Sequence, residues 1–332
     1  MTGQRHRILA TVIVCTHNRG RLLSEGLPEL LAQQLPAGRY EVLVVDNACS
    51  DDTPERVGDL LERYPGRIRY VREDRLGLSS ARNAGIRHAN GPIIAFIDDD
   101  AVPDQGWLAS LVSAFDSPMV ACAGGPVIPV VEGDLPPWFS PKLQTYISVF
   151  DKGSEPVPLT YNEYPRGVNI AFRKTVFQGV GLFSVSFGRK GRSLMSYEEI
   201  ELCYRIERAG WTILYVPGAS VHHTVHAERL VRDWFLRRFY WQGKSEAYFD
   251  LIHRGTRFIA EKLLEHAKFS NVRKLMTSPA SNSEDFYFLC RRQTRLGYLM
   301  GLVQGLLTAQ PLRAHGQARP SFRIALRGGC HD

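Results

Sequence analysis

The run Ile93-Ile94-Ala95-Phe96-Ile97 follows Gly91-Pro92 and ends in Asp98, Asp99 and Asp100. Uncharged, mostly apolar residues bounded by turn residues predict a buried strand of a parallel sheet. Three adjacent carboxylates repel one another where that strand runs out into solvent, and a plain turn is made more cheaply by Asn or Gly. A divalent cation held by oxygen ligands, Mg²⁺ or Mn²⁺, resolves the repulsion and creates a site for a phosphate-bearing ligand. The plainer alternative is a solvated Asx turn ahead of a helix starting near Gln105.

The residues before this strand alternate between β-rich and helical patterns. Residues 8–16 are β-rich, and residues 19–34 carry Leu22, Leu23, Leu27, Leu30 and Leu31 at helical spacing. A second apolar run, 40–45, ends at Asp46-Asn47, and Ser50, Asp51, Asp52 and Thr53 before Pro54 offer helix caps. Residues 68–72 predict a third strand, and residues 76–86 a loop entering a helix. Strands joined by helices of this size form βαβ units, whose ligands collect at the carboxyl ends of the strands. Thr16, His17, Asn18 and Arg19, then Asp46 and Asn47, then Asp98 to Asp100 therefore surround one crevice.

No GxGxxG follows the first strand and no GxxxxGK[ST] occurs, so a dinucleotide site and a P-loop are not supported. Asp46 suits hydrogen bonds from a nucleobase or ribose, and the triplet suits a metal; these are the two ends of a nucleoside diphosphate. Arg75 and Arg82 stand between them, as contacts to base or phosphates or as surface residues.

Length and composition bound the rest. The chain has 332 residues, with 44% hydrophobic and 23% charged, enough for one large α/β domain and an appendage. Cys15, Cys49, Cys122, Cys203, Cys290 and Cys330 form no CxxC pair, which predicts a reduced, cytoplasmic protein without a zinc site. Residues 8–15 are too short for a signal sequence, and the apolar run 296–307 is too short to span a bilayer. The net charge of +7 divides unevenly: residues 229–332 carry +10 and the first 228 carry −3. That division predicts a basic tail able to meet anionic lipid, or simply a solvated arginine-rich surface.

Four blocks carry a family resemblance. Thr11 to Arg19 (TVIVCTHNR), Val44 to Thr53 (VVDNACSDDT), Gly77 to Ile86 (GLSSARNAGI) and Phe96 to Asp100 (FIDDD) resemble, in order and spacing, the successive signatures of family 2 glycosyltransferases. The resemblance covers residues 8–225. It implies the GT-A fold, a Rossmann-like mostly parallel α/β sheet flanked by helices, and an inverting mechanism. It further implies that Thr16, Asn18, Asp46 and Arg82 line the nucleotide pocket, with Arg19, Arg75 and Gly77 beside them. Asp98, Asp99 and Asp100 become the DXD motif for ribose and metal. The expected division is a catalytic domain over 1–228, nucleotide half to about 125 and acceptor half beyond, then a basic, mainly helical extension over 229–332.

A fifth block is similar to the family's glycine-asparagine and ED-x-D-L-x-x-R segments. It comprises Arg166-Gly167-Val168-Asn169 and Glu198-Glu199-Ile200-Glu201-Leu202, departing from the pattern by having Glu at 199 and 201. Inversion by direct displacement needs one base to take the acceptor hydroxyl proton, and the resemblance assigns it to Glu199. Ser196 and Glu199, however, also spell a capping box, which would occupy Glu199 and leave Glu198 as the base. Glu201 is expected to pair with Arg205 at i,i+4.

Further candidates follow from position. His222 or His223 suits a third metal ligand or a diphosphate donor, as a late histidine does in several GT-A enzymes. Trp138, in the proline-rich stretch 130–165, suits the apolar face of an acceptor or a place under its own loop. Asn169 joins it as an acceptor contact, and Arg189 and Lys190, in the basic loop 187–192, suit acceptor or diphosphate and a mobile element. Residues 230–250, with aromatics among arginines, predict an amphipathic helix on the catalytic domain or on a membrane. Residues 278–284 predict a linker and 310–332 a loosely ordered tail.

The predicted activity is transfer of a sugar from a UDP- or dTDP-type donor to a hydroxyl on a glycan, a lipid-linked acceptor or a small molecule. The weighed alternatives are a sugar-nucleotide pyrophosphorylase, which would want a lysine-containing glycine-rich loop after the first strand, and a nucleic-acid-binding protein, for which the charge has no accompanying motif. No nucleic-acid partner is expected. The absence of a QxxRW signature favours a single-addition enzyme.

Overall fold

The computed structural model describes residues 7–268 and 283–307. In chain order the first half comprises β1 (Ala10–Thr16), α1 (Gly20–Leu31), β2 (Tyr40–Asp46), α2 (Thr53–Arg63), β3 (Ile68–Arg72), α3 (Leu78–His88), β4 (Ile93–Asp98), β5 (Ala101–Pro103), α4 (Trp107–Ala114), β6 (Val120–Gly124) and β7 (Val127–Val131). A 3₁₀ turn at Pro141–Ile147 leads to β8 (Val157–Leu159), β9 (Asn169–Arg173), α5 (Val176–Val180), α6 (Glu198–Arg208), β10 (Thr212–Tyr215) and β11 (Val221–Val225). Three helices follow: α7 (Arg232–His253), α8 (Gly255–Lys268) and α9 (Ser283–Leu307). Ser283 and Glu284 open α9; the rest of the expected linker and the tail from 310 lie outside the described residues.

An 8-stranded sheet in the order β3-β2-β1-β4-β9-β6-β10-β8 forms the centre. The nucleotide half is parallel, as β1 pairs with β2 and β4, and β2 with β3. The inserted β9 runs antiparallel to β4 and β6. Every residue of β2 is buried, which is why Val42 to Val45 read as an unbroken apolar run rather than an alternating one. On α1, Leu23, Leu27 and Leu30 recur on one face and seal that helix against the sheet.

A small sheet in the order β5-β11-β7 sits past the carboxyl end of β4. Its β11 runs antiparallel to β5, setting His223 opposite Ala101, and the Thr224 amide donates to the Asp100 carbonyl at 2.9 Å. This is the device that carries a late strand back to the aspartates.

The helices after residue 229 pack onto the catalytic body. Phe235 and Phe239 of α7 and Phe286 of α9 share a core with Leu143 and Ile147, and Phe249 meets the Tyr197 ring. A Cβ on Gly297 would strike the Tyr240 carbonyl oxygen, and one on Gly243 the Thr294 carbonyl, so α7 and α9 touch backbone to backbone. Gly297→Val is expected to cost about 1–3 kcal/mol through overpacking, read as a lower urea midpoint. An unchanged midpoint would contradict this contact.

Candidate active site

The crevice predicted at the carboxyl ends of β1, β2 and β4 exists as a cleft of about 410 Å³. Thr16, His17, Arg19, Asn47, Gly77, Arg82 and Asp98 to Asp100 line its nucleotide half. Thr145, Tyr146, Arg166, Arg189, Lys190, Glu198, Glu199, His223, Arg229 and Arg238 line the rest.

The aspartates do different things. Asp98, with its side chain 39% exposed, opens to the cleft and lies 3.7 Å from Arg82. Asp99 accepts from the Thr16 hydroxyl at 2.7 Å and pairs with Arg19 at 3.0 Å. Burial pushes the Asp99 carboxyl up to about 6 against the opposing Arg19 charge. Asp100 is buried; burial alone would raise its carboxyl, but His223, Arg229 and Arg19 hold it well below the usual carboxylate range. Arg229 reaches it at 3.0 Å, Arg19 at 3.1 Å and His223 Nε2 at 3.4 Å.

Asp98, Asp100 and His223 each offer one ligand atom, all within 4.8 Å of one another. Two carboxylate oxygens and an imidazole suit Mn²⁺ or Mg²⁺ with the remaining positions open. The cations already on Asp100 show that this spot draws positive charge. Residue alternation along β11 decides between the histidines: His223 points inward with Val221 and Val225, whereas His222 faces out and meets Asp104 at 3.1 Å. His222 therefore does not reach the cleft.

On the facing wall, α6 presents its amino-terminal turn. No capping box forms: the helix starts at Glu198, and Tyr197 before it takes a left-handed conformation (φ 78°) with its ring buried. Ser196 instead uses its amide to donate to the Ser245 hydroxyl at 3.1 Å. Glu199 is thereby released, and its buried Oε2 has no hydrogen-bond partner among the described residues. Glu198 accepts from Arg82 at 3.1 Å, and burial, aided by the neighbouring Glu199 charge, still pushes its carboxyl up to about 7. Glu201 is structural as expected, bound to Arg205 at 2.8 Å and also to His253 at 3.0 Å.

Arg82 ties the two walls together. Its guanidinium passes over Gly167, where a Cβ would lie 2.8 Å from Nη2, and donates to the Gly167 carbonyl at 3.1 Å. Only a glycine admits that approach. The basic loop is docked rather than free: the Leu78 amide donates to the Arg189 carbonyl at 2.9 Å and the Ser79 hydroxyl to the Phe187 carbonyl at 2.7 Å.

Several expected contacts do not line the cleft. Trp138 packs against Phe235 and Phe286, at 5.6 and 4.8 Å between ring centroids, under its own loop. The aromatic that the same insertion sends into the cleft is Tyr146, stacked on Phe239 at 3.8 Å. Asn169 is fully buried and spends its amide on Trp107 Nε1 and the carbonyls of Pro126 and Ala219. Asp46 is buried beneath the cleft, bound by the Tyr70 hydroxyl, the Cys49 amide and Arg72. Asn18 holds the Ser50 amide at 2.8 Å, and Arg75 is exposed beyond the rim. Arg229 and Arg238, which do line it, are not among the expected site residues, and Arg166 belongs to the fifth block without a role expected of it.

A central α/β sheet with a metal-capable acidic turn at its carboxyl edge is the arrangement of the GT-A fold. Residues 11–179 match the model described as Glycosyl transferase family 2, and the chain belongs to that family. It is 30% identical over 252 residues to the glucosyl-dolichyl phosphate glucuronosyltransferase of Haloferax volcanii, covering 73% of this chain and 78% of that protein. It is 28% identical to the pre-mycofactocin glycosyltransferase of Mycobacterium tuberculosis, covering 74% of this chain but only 48% of that protein. Among solved structures, the fold resembles the mannosyltransferase PcManGT from Pyrobaculum calidifontis in complex with GDP-Man and Mn²⁺, with TM-score 0.55 and 20% identity over 93% of this chain and 78% of that one. It also resembles GalNAc-T7 with UDP, GalNAc and Mn²⁺, with TM-score 0.53 and 15% identity over 92% of this chain and 58% of that one. The chain is thus a glycosyltransferase, rather than the pyrophosphorylase or nucleic-acid-binding protein weighed from its sequence.

Proposed function

We propose that this enzyme transfers a sugar, with inversion, from a nucleoside diphosphate sugar to a hydroxyl acceptor, using Glu199 as general base. The observation that carries this is the facing of two groups across one cleft: the Asp98, Asp100 and His223 donor set, and Glu199, which unlike Glu198 is paired with no arginine among the described residues. A divalent cation held by those donors would supply Lewis-acid stabilisation of the departing diphosphate. Thr16 and Arg19 hold Asp99 in place, Arg189 and Lys190 offer cations to the phosphates, and Glu199 takes the acceptor proton.

A binding screen of UDP, dTDP and GDP, each with and without Mn²⁺, tests the reading and selects the base. Guanine joins the sequence-based pair because one structural relative was solved with GDP-Man. Asp100→Ala is expected to remove the Mn²⁺-dependent part of nucleotide binding while the fold persists. Unchanged Mn²⁺-dependent affinity would sink the metal assignment.

The single-addition reaction is proposed to run at the cytoplasmic face of a membrane. No described helix is long and apolar enough to cross one. On α9, however, Leu296, Leu299, Met300, Val303 and Leu306 are exposed at helical spacing, with exposed Arg291 and Arg292 on the same helix. The chain is expected to sediment with vesicles containing phosphatidylserine and less with neutral ones; equal retention in the supernatant with both would remove the membrane from this proposal.

A further inference from the structure

The cleft holds more positive charge than a diphosphate site uses. Arg19, Arg82 and Arg229 are each paired with a carboxylate. Arg166, Arg189, Lys190 and Arg238 also line it, and none forms an ion pair with any described residue. Arg189 and Lys190 belong to the loop on the amino-terminal end of α3, beside the nucleotide half, and suffice with one divalent cation for a pyrophosphate.

Arg166 and Arg238 are left over, and they come from elsewhere. Arg166 lies in the turn before β9, its guanidinium 5.2 Å from the centre of the Phe150 ring and its buried Nε without a hydrogen-bond partner. Arg238 comes from α7, its guanidinium 5.8 Å from the centre of the Tyr146 ring and its Nη1 donating to Gln242 at 3.1 Å. Both line the same cleft as Glu199, and burial pushes each guanidinium below its ordinary range, with the Glu199 charge opposing at both and Arg238 adding to the lowering at Arg166. Holding two like charges in a partly desolvated wall is unfavourable unless an anion joins them.

We propose that Arg166 and Arg238 grip a second anionic group, a carboxylate or phosphate distinct from the donor diphosphate, on the substrate beside Glu199. Two guanidinium forks present the planar, paired donors that such a group accepts. The group belongs either to the donor's sugar, as a uronic acid, or to the acceptor, as a phosphate. This rests on the glycosyltransferase reading above and specifies its substrates.

The test uses the full chain with Mn²⁺ and the nucleoside diphosphate that binds in the screen; binding of none of the three would fail the underlying reading and not this proposal. Calorimetry then compares two matched pairs: the nucleotide-linked glucuronate against the nucleotide-linked glucose, and, on the nucleotide complex, glucose 1-phosphate against glucose. The anionic member of one pair is expected to bind about tenfold more tightly or better. The pair that shows the preference identifies the source. Arg166→Gln with Arg238→Gln should bring that ratio close to one, whereas Arg238→Lys should keep part of it; taking ratios within a pair cancels any general loss of affinity. Equal affinity within both pairs, or a preference that survives the double variant, overturns the proposal. Should the double variant fail to fold, Arg238→Gln alone must still lower the ratio, and an unchanged ratio overturns it as well.

Discussion

Glu199→Gln is expected to bind donor and metal as the unaltered enzyme does and to lose transfer by a factor of about 10² to 10⁴, the usual contribution of a positioned base. Glutamine keeps the shape and the hydrogen-bonding reach of the side chain but cannot accept the acceptor proton. The expectation comes from the way α6 begins: Tyr197 in a left-handed conformation starts the helix at Glu198, so Ser196 cannot engage Glu199 in a cap. Glu198 is the competing candidate: Arg82 holds its Oε1 at 3.1 Å, while its buried Oε2, like that of Glu199, has no hydrogen-bond partner among the described residues. Single-turnover transfer by Glu199→Gln and Glu198→Gln, measured beside donor affinity, separates the two. Transfer near the original rate in Glu199→Gln would move the base to Glu198 or elsewhere.

Arg82→Met should produce the largest loss of stability of any single change in the cleft, about 3–5 kcal/mol, because it strands a buried carboxylate. The Arg82 guanidinium lies beside both the Phe96 and Phe183 rings, at 5.6 and 5.5 Å from their centres, and methionine keeps much of that apolar contact while deleting the charge. The loss should depend on pH in a defined direction. Glu198 has a folded pKa raised from 4.5 to about 7, so the folded state binds its proton more tightly than the unfolded chain does. Its contribution to stability is therefore complete below 4.5 and is lost as pH rises towards 7. Without Arg82 the charged form is opposed further, and the window extends upward. The melting temperature of Arg82→Met should fall much further below that of the original chain at pH 8 than at pH 5. Adding Glu198→Gln should recover most of the difference. Equal losses at both pH values would mean that the arginine matters for packing and not for charge.

Much of this was readable from local pattern. The apolar run into Asp98, Asp99 and Asp100 and the βαβ alternation before it place the acidic turn at the rim of a parallel sheet, because strand burial and crossover handedness leave few other options. Alternation along residues 221–225 also separates His223 from His222. Other placements depend on packing that no local pattern records. Trp138 and Tyr146 occupy the same irregular insertion, and only the docking of α7 decides which ring is covered and which reaches the cleft. Asn169 reads as a contact residue because it adjoins Gly167, yet β9 runs between β4 and β6 and turns its amide into the core. Arg229 and Arg238 belong to no motif, and their arrival beside Asp100 and Tyr146 is a long-range event.

The α7 helix forms one wall of the cleft through Arg238 and Gln242 while its opposite side is locked against α9 at Gly243. The surface that meets the incoming substrate is thus borne by a segment separate in sequence from the one that holds the nucleotide. A helix placed this way can be altered along its cleft-facing side without moving the strands that carry the nucleotide half. Exchanging the cleft-facing residues of α7, with Arg229 kept on Asp100, offers a direct route to reprogramming what is glycosylated.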